Sequence, residues 1–343
     1  MIRNYLSAEQ MELWHRMVGE AGNIVVLGHS GPDGDAMGAI LALTAYLQGL
    51  GKKVTPITPN ACPDFLRWLP GVEQVIFFRN KQRKALKALE ECDLVFCLDF
   101  NGLSRLEELS GSVERCKARR IMIDHHLDPE EIADLMVSDP EAAATCELLF
   151  CMLHQLGAYE AMTPDMATCL YCGLMTDTGA FAYNSNRAAL FHIVGMLIAK
   201  GIDKDKIYRN VYYSYTESRL RLMGYLMYEK LEYFPEEHVA MFALTEEEMK
   251  RFNFIRGDAE GFVNLPLQIK GTRLSISLRE DTEKPLVRVS LRSVGDFPCN
   301  EMAERFFNGG GHLNASGGRL NCSIEEAEQI TRKAIAAYSE LLK

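Results

Sequence analysis

Short apolar runs that stop abruptly at a polar residue recur along the first half of the chain and alternate with longer stretches of helical spacing. Residues 23–29, 54–58, 74–78, 93–99 and 121–126 read as strands of this kind, with 135–138 as a short edge strand. Continuous apolar runs bounded by polar residues suit parallel strands covered on both faces. Helical spacing occupies 7–21, 39–49, 81–91, 144–156 and 163–175. Strand and helix in alternation predict an α/β domain with a mostly parallel sheet flanked by helices.

From 187 to about 233 the pattern is helical, with Leu190, Ile193, Val194, Leu197 and Ile198 on one stripe, and it is read as a bridge between two domains. Beyond Pro235 the grammar changes. Apolar runs at 239–244, 274–278 and 286–291, a helix-like 300–307 and a closing amphipathic helix over 324–342, opened by Ser323, predict a smaller α+β domain. The expected division is therefore 1–186, a helical linker 187–234, and 235–343, an ordinary arrangement for a chain of 343 residues.

Composition narrows the classes. Hydrophobic residues make up 48% and charged residues 24%, which excludes wholesale disorder. With 47 acidic against 37 basic residues the formal net charge is −10, contrary to a surface built to hold long nucleic acid through many phosphates. Residues 1–10 lack an unbroken apolar core and read as the lead into a helix, and no stretch is apolar enough for a membrane span, so the protein is read as cytoplasmic with no membrane partner. The 10 cysteines lie among apolar neighbours; Cys169 and Cys172 form a C-x-x-C spacing without a second pair, and core packing explains them.

Strand ends carry the chemistry. The run Ile121-Met122-Ile123 ends in Asp124-His125-His126, and the 93–99 strand ends in Asp99. The first strand ends in His29 and enters Ser30-Gly31-Pro32-Asp33-Gly34-Asp35. In such a bend His29 and Asp33 can converge on one cation while Asp35 aims at a neighbouring position. Asp177 is one more acid at the end of an apolar element. Metal-competent acids and imidazoles at the carboxyl ends of strands point to a metal site, because open α/β sheets place their chemistry there. The glycine-rich turn contains neither a dinucleotide fingerprint nor a P-loop. In the second domain Gly309, Gly310 and Gly311 precede His312, and glycines let backbone amides approach an anion; Arg292 and Ser293, at a strand end, are natural partners for a phosphate.

Taken in order, His29 to Ala36, Asp99, Asp124-His125-His126, Thr176-Asp177-Thr178-Gly179, Gly309 to His312 and Asn314 to Gly317 resemble the DHH phosphoesterase superfamily, DHHA1 branch. The likeness is strongest to the bacterial nanoRNase/pAp phosphatase group. Gly31 stands where these proteins often have Asn, and Ala39 where a small hydroxyl residue is common. The resemblance implies an N-terminal DHH domain, a C-terminal DHHA1 domain and an active site in the cleft between them. It implies two cations per chain: His29 and Asp33 on one, Asp35 and His125 on the other, Asp99 and Asp177 shared. His126 would face the phosphate and Asp124 would orient the adjacent histidines. Arg292, Ser293, Gly309, Gly310, Gly311 and His312 would bind substrate, with Arg105 supporting the site.

The expected activity is hydrolysis of short oligoribonucleotides and of 3′-phosphoadenosine 5′-phosphate by water activated between two cations. Carboxylates mixed with imidazoles favour Mn²⁺, with Mg²⁺ or Co²⁺ as substitutes. The alternatives are a cyclic di-AMP or linear dinucleotide (pApA) phosphodiesterase of the same superfamily and a nucleotide sensor without chemistry. A homodimer is compatible with the sequence.

Overall fold

Alternate residues of the central strands go to opposite faces of one sheet, and both faces are apolar. Ile24, Val26, Leu94, Phe96, Leu98, Ile121 and Ile123 join one buried cluster, whereas Val25, Leu27, Val95, Cys97 and Met122 join another. This is why those segments read as unbroken apolar runs rather than alternating ones. In this computed structural model residues 2–255 and 257–343 are described; Met1, first in the run read as the lead into a helix, lies outside them.

The chain divides into two compact units, 1–214 and 215–343. The division falls inside the stretch read as a helical linker, whose helices are shared between the two units. The first unit contains, in order, α1 (Ala8–Glu20), β1 (Asn23–Gly28), α2 (Gly34–Gly49), β2 (Lys53–Thr58), β3 (Ile76–Phe77), α3 (Gln82–Glu91) and β4 (Leu94–Leu98). There follow α4 (Ser110–Arg115), β5 (Arg119–Asp124), β6 (Leu135–Ser138), α5 (Thr145–Gln155), α6 (Pro164–Asp177), α7 (Ala188–Ala199) and α8 (Lys204–Tyr212). Its sheet has the order β3-β2-β1-β4-β5-β6, and every pairing is parallel. The chain leaves β1 towards β2 and returns on its other side with β4, so the order reverses between β1 and β4. That switch point opens a crevice at the strands' carboxyl ends.

Two readings change. The helix expected from 39 begins at Gly34, with Asp33 as its N-cap: the Asp33 carboxylate accepts the amides of Asp35 and Ala36 and so satisfies donors that a helix start leaves unpaired. The stripe on α7 buries Leu190, Ile193 and Leu197, but Ile198 is exposed.

The second unit contains α9 (Glu217–Tyr225), β7 (Glu232–Phe234), β8 (Val239–Leu244), α10 (Glu246–Arg251), β9 (Leu274–Glu280) and β10 (Val287–Ser293). It continues with α11 (Cys299–Phe307), β11 (Gly310–His312), β12 (Ala315–Leu320), α12 (Ile324–Ala337) and α13 (Ser339–Leu342). The mixed sheet has the order β11-β12-β10-β9-β8-β7, with β8 and β9 parallel and the rest antiparallel. Among the described residues no helix is long and apolar enough to cross a membrane.

A capping box starts α10: the Thr245 hydroxyl accepts the Glu248 amide at 3.2 Å, and the Glu248 carboxylate accepts the Thr245 amide at 2.9 Å. Tyr225 Oη donates to the same carboxylate at 2.7 Å and Lys230 Nζ lies 2.9 Å away. Burial alone would raise the Glu248 pKa, but these donors outweigh it and hold it below the ordinary 4.5. A depressed folded value means stability that is present above the unfolded pKa and lost as pH falls through the folded one. Glu248→Gln is therefore expected to cost about 1 kcal/mol at pH 7, allowing for solvent screening. Unfolding midpoints measured from pH 7 to pH 3 should converge for the two proteins; a constant gap would refute the assignment.

Candidate active site

The switch point collects the side chains that the sequence singles out in the first unit. His29 follows β1, Asp99 follows β4, Asp124 ends β5 with His125 and His126 behind it, and Asp33 and Asp35 lie at the start of α2. Asp177 arrives from the end of α6, a helix rather than a strand. His29 Nε2 is 3.8 Å from Asp33 Oδ2 and 3.5 Å from Asp99 Oδ2. His125 Nε2 is 3.3 Å from Asp177 Oδ2, 3.6 Å from Asp99 Oδ1 and 3.8 Å from Asp35 Oδ2. Asp99 thus turns one oxygen to each histidine. Donor atoms of His29, Asp33 and Asp99 lie within 4.8 Å of one another, and so do those of Asp35, His125 and Asp177, and of Asp99, Asp124 and His126.

Hydrogen bonding fixes how the imidazoles face this cluster. His29 Nδ1 lies 2.9 Å from the Ser30 carbonyl and His125 Nδ1 3.3 Å from that of Ala142, contacts that require a proton on each Nδ1. Each Nε2 then presents its lone pair to carboxylate oxygens. Acceptor against acceptor is repulsive unless a proton or a cation lies between them. His126 Nδ1 is tied to Asp124 Oδ1 at 2.7 Å, while Asp124 Oδ2 is buried without a hydrogen bond.

The electrostatics agree. Burial, followed by the neighbouring Asp99 and Asp177 carboxylates, pushes Asp35 well above the usual carboxylate range. Asp99 is equally buried, but contact with His29 and the charges on His126, His29 and His125 outweigh burial and hold it low. For His29 and His125 burial works downward, and Asp99 leads the opposing carboxylates that raise both. So many acids crowded together, with Asp35, Asp99 and Asp124 buried, ionise together only when positive charge compensates them. A divalent cation fits both the geometry and the charge, and the mixed oxygen and nitrogen donors, without thiolate, suit that class of ion.

Residues with no comparable sequence signal hold the cluster in shape. Asp35 accepts the amides of Thr145 at 2.6 Å and Cys146 at 2.9 Å, at the amino end of α5, and the Thr145 hydroxyl donates to Asp99 at 2.9 Å. Asn60, after β2, accepts the Gly31 amide at 2.6 Å and donates to the Ser30 hydroxyl at 2.8 Å. Arg105 contributes its carbonyl, which accepts the Ser30 amide at 2.8 Å. A threonine opening an apolar helix is the available cue for Thr145; nothing local marks Asn60.

In the second unit Gly310 and His312 pair with Gly317 and Ala315, so the glycine loop is an edge strand. A side chain at Gly309 would meet the Gly317 carbonyl at 1.8 Å, which explains the glycine. Arg292 NH1 donates to the Leu291 carbonyl. The Ser293 hydroxyl donates to the Phe297 carbonyl at 2.8 Å and accepts from Asn314 Nδ2 at 2.8 Å, so local structure already engages it.

A parallel sheet with an acid and imidazole cluster at its switch point defines an α/β unit with a metal-competent site, and the comparisons specify the class. Residues 23–174 match the DHH family, N-terminal domain, and residues 238–340 match the DHHA1 domain. The chain belongs to the DHH family of phosphoesterases and carries a DHHA1 domain. It is 28% identical over 321 residues to the bifunctional oligoribonuclease and PAP phosphatase NrnA of Thermus thermophilus, covering 92% of this chain and 89% of that protein. It is 25% identical to the cyclic-di-AMP phosphodiesterase GdpP of Bacillus subtilis, with 94% of this chain against 49% of the relative. Among solved structures, an exopolyphosphatase-related protein from Bacteroides fragilis superposes with a TM-score of 0.93 at 45% identity and 98% coverage of both chains.

Proposed function

We propose that the chain hydrolyses the phosphoester bonds of short oligoribonucleotides and of 3′-phosphoadenosine 5′-phosphate, with two divalent cations, Mn²⁺ first and Mg²⁺ or Co²⁺ as substitutes. The observation that carries this reading is the pair of donor groups, His29 with Asp33 and Asp35 with His125, joined by Asp99, whose two oxygens face the two imidazoles. His29 and Asp33 would hold one cation, Asp35 and His125 the other, and Asp99 and Asp177 would serve both. Bound there, such ions lower the pKa of water and neutralise charge on phosphoryl oxygens.

The remaining work falls to the chain. Carbonyl partners on the two Nδ1 atoms keep His29 and His125 in the tautomer that offers Nε2 inward. Asp124 fixes the ring of His126, which presents its other nitrogen to the phosphate. Arg292, Gly309, Gly310, Gly311 and His312 grip the terminal nucleotide, and Ser293 and Arg105 act by shaping backbone.

The Thermus relative, matched along nearly its whole length, supports the oligoribonucleotide and PAP reading. The second reading, cyclic di-AMP hydrolysis, is supported by the GdpP relative, of which this chain spans about half. A panel of pAp, a ribodinucleotide, a 5-mer RNA, pApA and cyclic di-AMP, assayed with Mn²⁺, decides between them. Turnover of pAp and the short RNAs at least about tenfold above cyclic di-AMP is expected; the reverse order would replace the first reading with the second.

A further inference from the structure

One short segment, 142–146, touches three of the proposed cation ligands. The Ala142 carbonyl accepts His125 Nδ1–H at 3.3 Å, the Thr145 and Cys146 amides bind Asp35, and the Thr145 hydroxyl binds Asp99. The segment runs from the loop after β6 into the first two residues of α5, Thr145 and Cys146. Beside the backbone bonds of Ala142 to Asp139 and of Ala144 to the helix, a side chain ties its middle down. Glu147 Oε2 accepts the Ala143 amide at 2.7 Å. Arg187, at the start of α7, grips the same carboxylate with both ends of its guanidinium, NH1 on Oε1 at 3.0 Å and NH2 on Oε2 at 2.7 Å. Only 3% of the Glu147 side chain is exposed, so the pair is buried at its carboxylate end. From the same turn Asn184 Nδ2 reaches the Ala142 carbonyl at 3.5 Å.

We propose that Glu147 and Arg187 are positioning residues for the cation site: their forked ion pair sets the 142–146 segment, and that segment sets His125, Asp35 and Asp99. The inference rests on the two-cation reading above. A planar fork is essential to it, because two parallel bonds fix the carboxylate's orientation where one lysine charge would leave it free to rotate. Without the fork, the amide and carbonyl groups facing the ligands move together, so both cation positions weaken at once.

The test separates packing from positioning. The double variant Glu147→Leu/Arg187→Met replaces a buried pair with apolar groups of similar size, an exchange that often leaves stability unchanged. Mn²⁺ is titrated into metal-free protein by calorimetry, with the unfolding midpoint measured in parallel. The expected result is a midpoint close to wild type and a Mn²⁺ dissociation constant at least about tenfold weaker. Glu147→Gln, which keeps one oxygen for the Ala143 amide but sets an NH2 donor against the guanidinium and so loses one bond of the fork, is expected to bind Mn²⁺ with an affinity between those of the double variant and wild type. Binding within twofold of wild type in the double variant overturns the proposal. If the double variant does not fold, Arg187→Lys is titrated instead: weakened binding supports the fork, and unchanged binding removes it. Asp99→Asn is titrated alongside. If that variant binds Mn²⁺ as wild type does, the two-cation reading itself fails; if only the double variant does, the positioning role fails alone.

Discussion

Asp99→Asn is expected to lower phosphoester hydrolysis at least about 1,000-fold, roughly 4 kcal/mol on the barrier, while leaving the fold in place. Asp99 turns one oxygen to each of the two inner histidines, and it is buried. On the proposed two-cation reading, removing its charge would weaken the hold on both ions, and substrate binding alone cannot compensate for that. Asparagine is the informative replacement because the backbone at Asp99 has φ of 62°, in the left-handed region. Asp and Asn tolerate that region, whereas alanine adds about 1 kcal/mol of backbone strain. The amide also keeps an oxygen for the Thr145 hydroxyl. Turnover, Mn²⁺ content and far-UV circular dichroism should be measured together. Near-normal turnover with full metal occupancy would contradict the site.

Why this cluster is legible in the sequence, and its supports are not, follows from how each is encoded. His29, Asp99 and Asp124 lie at the ends of parallel strands, and a strand end is visible wherever an unbroken apolar run meets a polar residue. Asp33 and Asp35 follow the first strand so closely that the same cue reaches them. Asp177 is visible as the acid ending an apolar element, although that element is a helix. Thr145, Glu147 and Arg187 act through contacts between segments 40 and more residues apart, between Thr145 and Asp99 or Arg187 and Glu147, and no spacing rule relates them. The true start of α2 escapes the pattern because Gly34 and Gly38 lower helix propensity. The helix tolerates them because a neighbouring helix needs the space.

That need yields the second large effect. Helices α2 and α6 cross in close contact: a methyl group at Gly34 would meet Thr176 Oγ1 at 2.2 Å, and one at Gly38 would meet the Cys169 carbonyl at 2.5 Å. From the opposite side, a methyl at Gly173 would lie 2.3 Å from Cys146 Sγ and 2.8 Å from Asp35 Oδ1. Alanine is ordinarily worth about 1 kcal/mol over glycine inside a helix. At Gly173 overpacking, typically about 1–3 kcal/mol, opposes and exceeds that gain. The clash also bears directly on Asp35, whose carboxylate is already held by the α5 amides and has no room to yield.

Gly173→Ala is therefore expected to lower the unfolding midpoint and to reduce turnover about 100-fold, since a displacement of about 1 Å at a catalytic ligand carries a penalty of that size. Gly195→Ala supplies the contrast. Gly195 lies in α7, where an added methyl would find nothing within 4 Å, so this substitution should raise the midpoint and leave turnover unchanged. The pair isolates helix contact from helix propensity, because both exchanges are identical in the unfolded chain. If Gly173→Ala keeps wild-type turnover and midpoint, the carboxylate is not held against α6 as described. The glycine at 173 would then have no bearing on the site.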